Sequence, residues 1–146
     1  MAFWKKTVGG EIAYYGLTEW WLNSFTEQER AIIRKTYTPM LKDRALDEGK
    51  ITHSSHSILA FLGILAEWFK KAELYHIGKR ILIEGEKHYS SCNDVLDRHF
   101  FCLSAIRVYY ANRDNDAEAL DKAVYFCKEQ IKLAPKAKKL FLKESS

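Results

Sequence analysis

Histidine and cysteine pairs at helix-like spacing are the residues of this sequence whose types could bind a metal ion. His53 and His56 are three residues apart, and His88 and Cys92 are four apart, so each pair can share one face of a helix. A zinc site needs four ligands, or three with a bound water. Each pair supplies only two. We therefore predict no metal site and no bound cofactor.

The remaining cysteines bear on both metal binding and cellular compartment. Cys102 and Cys127 could join the second of these pairs in space, but both fall on apolar stripes of predicted helices, where cysteine acts as a small hydrophobic side chain. Three cysteines at irregular spacing, with no secretory signal, are typical of reduced thiols in the cytosol. The expected localisation is therefore cytoplasmic.

Asp97, Arg98 and His99 combine residue types that serve in general acid–base catalysis. Consecutive residues of a helix point about 100° apart, so these three side chains should face different directions. The sequence also has no glycine-rich phosphate loop, no nucleophile elbow and no HExxH motif. We therefore predict a non-catalytic protein. An enzyme or metal-binding protein whose site is completed by oligomerisation stays open as an alternative.

Size and composition predict one globular domain. The chain has 146 residues, of which 47% are hydrophobic and 29% charged, and this length can bury a core without a metal ion or a disulfide. The longest apolar stretch, residues 58–66, is far shorter than the roughly 20 residues that span a membrane. The N-terminal residues lack the apolar run of a signal peptide. We therefore expect no membrane partner.

Caps and apolar spacing predict helices within residues 1–38. Thr18 is a candidate cap for a short aromatic helix that follows it. Thr26 and Glu29 form a capping box, in which each side chain accepts a hydrogen bond from the other residue's backbone N–H. The helix that follows should end near Tyr37, because a proline two residues later disfavours helical conformation before it.

Residues 54–90 predict a first helix hairpin. Ser54 or Ser55 is expected to cap a long helix that ends near Lys70. Its second helix, over residues 74–87, repeats the apolar spacing and should fold back on the first. Apolar residues cover most sides of the first helix, which is typical of a helix at the centre of a core. These residues are Ile58, Leu59, Phe61, Leu62, Ile64, Leu65, Trp68 and Phe69.

Residues 93–135 predict a second hairpin. Its first helix is expected over residues 94–111, and Asp116 should cap its second helix after a polar loop. Pro135 is expected to end that helix, and a short terminal helix over 136–143 should follow. No segment alternates apolar and polar residues as a strand does. The sequence therefore predicts an all-α fold of antiparallel helical hairpins, with about five to seven helices and no sheet.

The second hairpin has the residue pattern of a repeated helix pair. Its last helix places the small Ala123 among larger apolar residues and closes with Pro135. The preceding helix has Phe100, Leu103 and Ser104 in large, large and small positions. This hairpin resembles the tetratricopeptide repeat (TPR), a family of stacked helix pairs. An unrelated helical bundle with similar packing is the alternative.

The earlier hairpin resembles a more degenerate copy of the same repeat. Leu62 and Gly63 stand in its first helix and Gly78 in its second. The family's period is 34 residues, whereas Leu62 to Leu103 spans 41, so the spacing departs from the family pattern.

The resemblance implies a scaffold whose stacked hairpins form a concave face for a protein or peptide partner. Side chains of the first helix of each hairpin would line this face, which nominates Trp68, Arg107 and Tyr110. Each of them could instead be ordinary core or surface. The predicted function is a non-catalytic protein–protein interaction or regulatory module, with self-association as a further expectation.

Aromatic residues crowd the first 25 positions and include the adjacent Trp20 and Trp21. Neighbouring residues on a helix cannot both lie at the centre of one narrow buried stripe, so one of the two rings is a candidate for exposure. An exposed tryptophan would be a candidate partner surface. The alternative is that this segment buries both rings.

Lysines near the C-terminus are the basis of a second functional hypothesis. The chain has a formal charge of +4, and Lys132, Lys136, Lys138 and Lys139 gather in the last 15 residues. A basic patch of this kind favours an anionic partner such as nucleic acid, although lysines at the end of an amphipathic helix also serve simply to solvate it. Nucleic-acid association is therefore the alternative to protein binding.

Overall fold

Helices account for all the regular secondary structure in the described part of the chain. The computed structural model describes residues 7–39 and 46–144, which contain seven α-helices, one short 3₁₀ helix and no β-strand. The predicted all-α class is therefore confirmed. The chain divides into two compact units, Met1–Ser55 and His56–Ser146. The single domain expected from the chain length stays a prediction.

Each unit has its own set of helices. The first contains α1 (Gly10–Tyr14), α2 (Thr18–Ser24) and α3 (Glu27–Thr36). The second contains α4 (Ile58–Glu67), the 3₁₀ turn Ala72–Leu74, α5 (Tyr75–Tyr89), α6 (Val95–Ala111) and α7 (Ala119–Glu144).

Two predicted caps in the first unit have different outcomes. The capping box is confirmed: the Glu29 N–H donates to the Thr26 hydroxyl at 3.1 Å, and the Thr26 N–H donates to the Glu29 carboxylate at 2.9 Å. The cap at Thr18 is wrong, because Thr18 is the first residue of α2 and Leu17 is the residue before it. Burial of Leu17 and its N–H bond to the Ile12 carbonyl fix the chain there, so the helix starts directly afterwards.

Two arginines of α3 tie the first unit together. Arg30 donates to carbonyl oxygens at the end of α2, including that of Leu22 at 3.3 Å. Arg34 donates to the buried carboxylate of Asp47 at 2.8 Å and to Glu27 at 3.1 Å. Both guanidinium groups are therefore occupied by acceptors of the same unit.

α4 is buried on most of its sides, as predicted from its composition. It begins after Ser57, whose hydroxyl accepts a hydrogen bond from the Ala60 N–H at 3.1 Å, so the predicted cap at Ser54 or Ser55 is wrong. Ser57 immediately precedes the apolar run, so its hydroxyl is the one in reach of the free N–H groups of the first turn. The buried residues of α4 are Leu59, Ala60, Phe61, Leu62, Gly63, Leu65 and Ala66.

α4 with α5, and α6 with α7, form two antiparallel hairpins that stack side by side. Hydrogen bonds join α4 to α6 and α5 to α7, through residues on these helices or close to them. The two residues of each bond are 36 to 42 positions apart in the sequence. The residue numbers on the two sides rise together, so α4 runs parallel to α6 and α5 runs parallel to α7. The pairs are Glu67 with Ser104, Lys70 with Asn112, Lys79 with Asp116, and Glu86 with Lys122.

Phe101 of α6 is the side chain on which all four helices converge. It is fully buried, and its ring centroid lies 5.8 Å from that of Phe126 on α7 and 6.1 Å from that of Tyr89 on α5. Two glycines leave room for the ring. A Cβ at Gly63 of α4 would lie 3.2 Å from Phe101 Cδ1, and a Cβ at Gly85 of α5 would lie 2.8 Å from Phe101 Cζ.

α7 continues through Pro135, so the predicted stop at this residue and the separate terminal helix over 136–143 are wrong. Proline cannot donate to the carbonyl of Ile131 and crowds it. Ile131 is 71% exposed, so its carbonyl lies on a side of the helix that is open to water. The buried Ala137, two residues beyond the proline, holds the continuing helix against the rest of the unit.

A polar network joins the start of α5 to the loop before α7. The Asp116 carboxylate accepts hydrogen bonds from Lys79 at 2.7 Å and from the Tyr75 hydroxyl, and it also caps the N–H of Glu118 at 3.0 Å. The hydrogen bonds from Lys79 and Tyr75 lower the pKa of Asp116 from its ordinary value of 3.8 to about 2. The predicted capping role of Asp116 is thus confirmed, and the same carboxylate links the two hairpins.

We expect Gly85→Ala to destabilise the protein by about 1 to 2 kcal/mol, because the steric cost of the added methyl group exceeds the gain in helix propensity. Urea unfolding followed by circular dichroism measures the change. Combining Gly85→Ala with Phe101→Leu should cost less than the sum of the two single substitutions, because the smaller side chain makes room. Additive losses would contradict the proposed overlap with Phe101.

Asp116→Asn should lower stability at pH 7 by about 1 to 2 kcal/mol while leaving the shape of the side chain unchanged. The pKa of Asp116 is depressed in the folded state, so its contribution is complete above pH 5 and is lost as the pH falls towards 2. The difference in unfolding free energy between the wild type and the variant should therefore shrink over that range. Urea unfolding at a series of pH values measures it, and a constant difference would contradict the network.

Candidate interaction surface

Parallel packing of α4 and α6 brings exposed apolar side chains of both helices onto one surface. α4 contributes Ile64 and Trp68, which are four residues apart, and Trp68 is 36% exposed. α6 contributes Phe100 and Tyr110, which are 46% and 52% exposed. We call this surface the α4–α6 face, and it also includes Arg107.

A groove of about 340 Å³ lies along this face between the two helices. Apolar side chains form most of its lining, and carboxylates stand on both helices. The lining residues are His56, Ala60, Ile64, Glu67, Asp97, Phe100, Phe101 and Ser104.

Glu67 fixes the position of α6 relative to α4 beneath the face. Its two carboxylate oxygens accept hydrogen bonds from the Ser104 hydroxyl at 2.8 Å and from Arg107 at 3.0 Å. Asn112 adds a second link, since its side-chain amide donates to the Lys70 carbonyl at 2.8 Å. Side chains held in this way are ordered before any partner arrives, which lowers the entropic cost of binding.

The three residues nominated from the repeat resemblance lie towards the C-terminal ends of α4 and α6, with Trp68 directly after α4 and Arg107 and Tyr110 within α6. Arg107 bonds to Glu67, the neighbour of Trp68, and Tyr110 lies one helical turn beyond Arg107. The guanidinium group of Arg113 lies 4.1 Å from the centre of the Tyr110 ring. Arg107 therefore links the two helices through its ion pair with Glu67, whereas neither Trp68 nor Tyr110 lines the groove between them.

Ile64 and Phe100 are the residues of this face that sequence reasoning did not single out as a site. Both are apolar residues at helical spacing and were expected to extend core stripes. The composition of α4 could have indicated an exposed apolar surface, because its side chains are apolar on nearly all sides. Two neighbouring helices cover only part of that surface, so one apolar side stays exposed.

Trp20 and Trp21 do not form a shared exposed patch. Trp21 is only 1% exposed, so its nomination for a partner surface is wrong. Its ring and that of Phe25 pack in the core of the first unit, with centroids 5.7 Å apart. Trp20 is half-buried and meets Phe25 edge-on at 5.2 Å. Phe3 and Trp4, which belong to the same aromatic cluster in sequence, lie outside the described residues.

The C-terminal lysines all lie on α7 and are exposed. Lys132 forms an ion pair with Glu129 at 3.0 Å, while Lys138 lies beside a separate apolar groove near Phe141. Lys132, Lys136 and Lys139 follow one another at steps of four and three, so they share one strip of the helix. The lysines are therefore split between two sides of α7.

His88, His99 and Cys102, which were considered for metal binding or catalysis, form hydrogen bonds or packing contacts with neighbouring residues. His88 bonds to Glu84 at 3.3 Å, and the His99 ring lies edge-on against Phe100. Cys102 is buried, and burial raises the pKa of its thiol, which disfavours the reactive thiolate. Among the described residues, no three His, Cys, Asp or Glu side chains converge to hold a metal ion.

The arginine and the histidine of the Asp97–Arg98–His99 run point in different directions. Arg98 lies 4.6 Å from the centre of the Tyr89 ring, whereas His99 meets Phe100. Asp97 lines the α4–α6 groove. The three side chains therefore do not meet around one substrate atom.

A larger groove of about 510 Å³ lies between α5 and α7. Charged side chains dominate its rim, and Lys122 bridges it through a 2.7 Å hydrogen bond to Glu86. Its two aromatic walls, Tyr89 and Phe126, belong to the core packing around Phe101. Asp121 and the half-exposed Tyr125 also line this groove, in which Glu86 and Lys122 are already paired with each other.

Comparisons of the chain with protein-family models, with curated proteins and with solved structures find no match. None of the described helices is both long enough and apolar enough to cross a lipid bilayer.

Tryptophan fluorescence should separate the exposed Trp68 from the buried Trp21. Trp68→Phe is expected to reduce acrylamide quenching and shift the remaining emission to shorter wavelength, because it removes a ring in contact with water. Trp21→Phe should have the opposite effect on both quantities. If the two substitutions changed quenching alike, the placement of Trp68 on the open face would be wrong.

Proposed function

We propose that this protein is a non-catalytic interaction module that binds an apolar segment of a partner protein on the α4–α6 face. The observation that carries the proposal is the groove between two parallel helices, lined by the exposed apolar side chains of Ile64 on α4 and Phe100 on α6. Contiguous apolar surface of this kind is uncommon on a monomer unless it serves as a binding site.

The composition of the face suits protein recognition better than a small polar ligand. Tryptophan, tyrosine and arginine are the residues that most often dominate binding energy at protein interfaces, and Trp68, Tyr110 and Arg107 are exposed on or next to the two helices that form the groove. The groove volume of about 340 Å³ accommodates one or two apolar side chains of a bound segment.

The repeat resemblance supports the same proposal. In a TPR-like stack the first helices of successive hairpins lie side by side and line the binding face. α4 and α6 are the first helices of the two hairpins, run parallel and line the groove together. The offset of 36 to 42 residues between paired positions exceeds the 34 residues of that family, so the proposal is a TPR-like module with a longer repeat.

Peptide selection tests the proposed face. Phage displaying random peptides is panned against the immobilised protein, and the affinity of selected peptides is measured by fluorescence anisotropy. Combining Ile64→Ser with Phe100→Ser should weaken binding by about tenfold or more, because both walls of the groove lose apolar surface. Ile83→Ser removes an equally exposed isoleucine on α5 and should change the affinity less than about twofold.

Two outcomes would count against protein binding on this face. One is that selected peptides bind the groove variant as tightly as the wild type. The other is DNA binding through the lysines of α7, which is tested in parallel with a short labelled DNA duplex. DNA affinity that survives the groove substitutions, falls steeply between low and moderate salt, and is lost on Lys136→Glu with Lys139→Glu would favour the lysine strip of α7 instead.

A further inference from the structure

α7 carries a second set of exposed apolar residues, of which only Ala134 lines a groove with a residue of the α4–α6 groove, Phe100. One side of this helix is buried within the unit through small and aromatic residues, Ala119, Ala123, Phe126 and Ala137. An adjacent side carries a row of apolar residues that remain exposed, which we call the α7 strip: Leu120, Val124, Cys127, Ile131 and Ala134.

The spacing of the α7 strip is that of a helix-pairing seam. Its members follow one another at steps of four, three, four and three residues, the heptad pattern with which two helices pack along their length. From Leu120 to Ala134 the strip extends about 21 Å. Ile131, the fourth of its five members, is 71% exposed, the highest value among the large hydrophobic residues of the described chain.

Two opposite charges border the strip on its outer edge. Asp121 directly follows Leu120, and Lys128 directly follows Cys127, so the two occupy equivalent positions of successive heptads. Both side chains are exposed, and neither has an ion-pair partner within the described residues. The edge of the strip therefore presents a negative and a positive charge seven residues apart.

We infer that the α7 strip binds the α7 strip of a second copy of this chain in antiparallel orientation. In this register Leu120 faces Ile131 of the second copy, and Val124 faces Cys127. Asp121 then lies beside Lys128 of the second copy, and the two-fold symmetry repeats the pair with the roles reversed. One interface thus gains two charge pairs from two residues.

Charge placement also decides against parallel pairing. In a parallel helix pair Asp121 and Lys128 face the residues five positions earlier in the partner helix. Lys128 would then face the uncharged Ala123, which is buried within its own unit, and Asp121 would face the position of Asp116, which precedes α7 and has the same charge. Only the antiparallel arrangement brings the two charges of this edge into contact with their opposites.

Sedimentation velocity from about 1 to 200 μM tests the association. We expect the wild type to pass from monomer to dimer over this range and Ile131→Lys to remain monomeric. Ile83→Lys places the same charge at an exposed isoleucine of α5 and should leave the dimer intact. Circular dichroism of each variant checks that its helices are retained.

Charge exchange tests the register. Asp121→Lys or Lys128→Asp alone should raise the dissociation constant about tenfold, because each places like charges together twice. The double variant should return to within about threefold of the wild type. Mixing the two single variants should also restore dimers, because each chain then faces its opposite charge in the other.

A wild type that stays monomeric throughout the range would overturn the inference, and so would Ile83→Lys disrupting the dimer as much as Ile131→Lys. If the wild type forms dimers but neither the double variant nor the mixture of single variants regains them, the antiparallel register is wrong. Ile64→Ser alone changes the peptide groove without touching the α7 strip and should leave self-association unchanged, which separates this result from the test of the peptide groove.

Discussion

The burial of one aromatic ring, Phe101, constrains the whole second unit. The ring belongs to α6 and has a neighbour on each of the other three helices, including Phe126 of α7 and the two positions where α4 and α5 have glycine. A side chain at Gly85 would overlap the ring, and one at Gly63 would press tightly against its edge. The helices can therefore approach one another only in the arrangement that these glycines allow, and close packing of this kind tolerates little change in volume.

The surfaces of the protein follow from that arrangement. Because α6 is held against both helices of the first hairpin, its side towards α4 forms a groove, and the links from Glu67 and Asn112 fix the end of it where both helices terminate. Because the second hairpin has its small residues, among them Ala119 and Ala123, turned inwards, the larger apolar side chains of α7 are left outside. One packing choice thus produces two apolar surfaces, one within the stack and one at its end.

Local signals in the sequence predicted the local structure well. The Thr26 capping box, the polar loop with Asp116 and the apolar periodicity of α4 each depend on residues a few positions apart, and each is found as predicted. The all-α class follows from the same periodicity. The nomination of Trp68, Arg107 and Tyr110 for one face came only from the repeat resemblance, which supplies the pairing of distant helices.

Features that depend on neighbouring helices were not predicted. Trp21 is buried because the first unit closes around it, and nothing in the adjacent Trp20–Trp21 pair says which ring turns inwards. The stripe from Leu120 to Ile131 has the periodicity of a core face. Periodicity shows only that a helix has an apolar side, and not whether that side is buried. The alanines beside it permit closer contact with α6 and therefore take the inner position.

Pro135 has a consequence for the dynamics of the C-terminal end. It interrupts the ladder of backbone hydrogen bonds in α7, and among residues 136–144 only Ala137 is buried. The segment after the proline therefore loses little buried surface when it opens, and its opening free energy should lie below that of the helix before it. The last turns of α7 form a separate unit of local unfolding, so their backbone amides exchange with solvent faster than those of the turns that pack on Phe126.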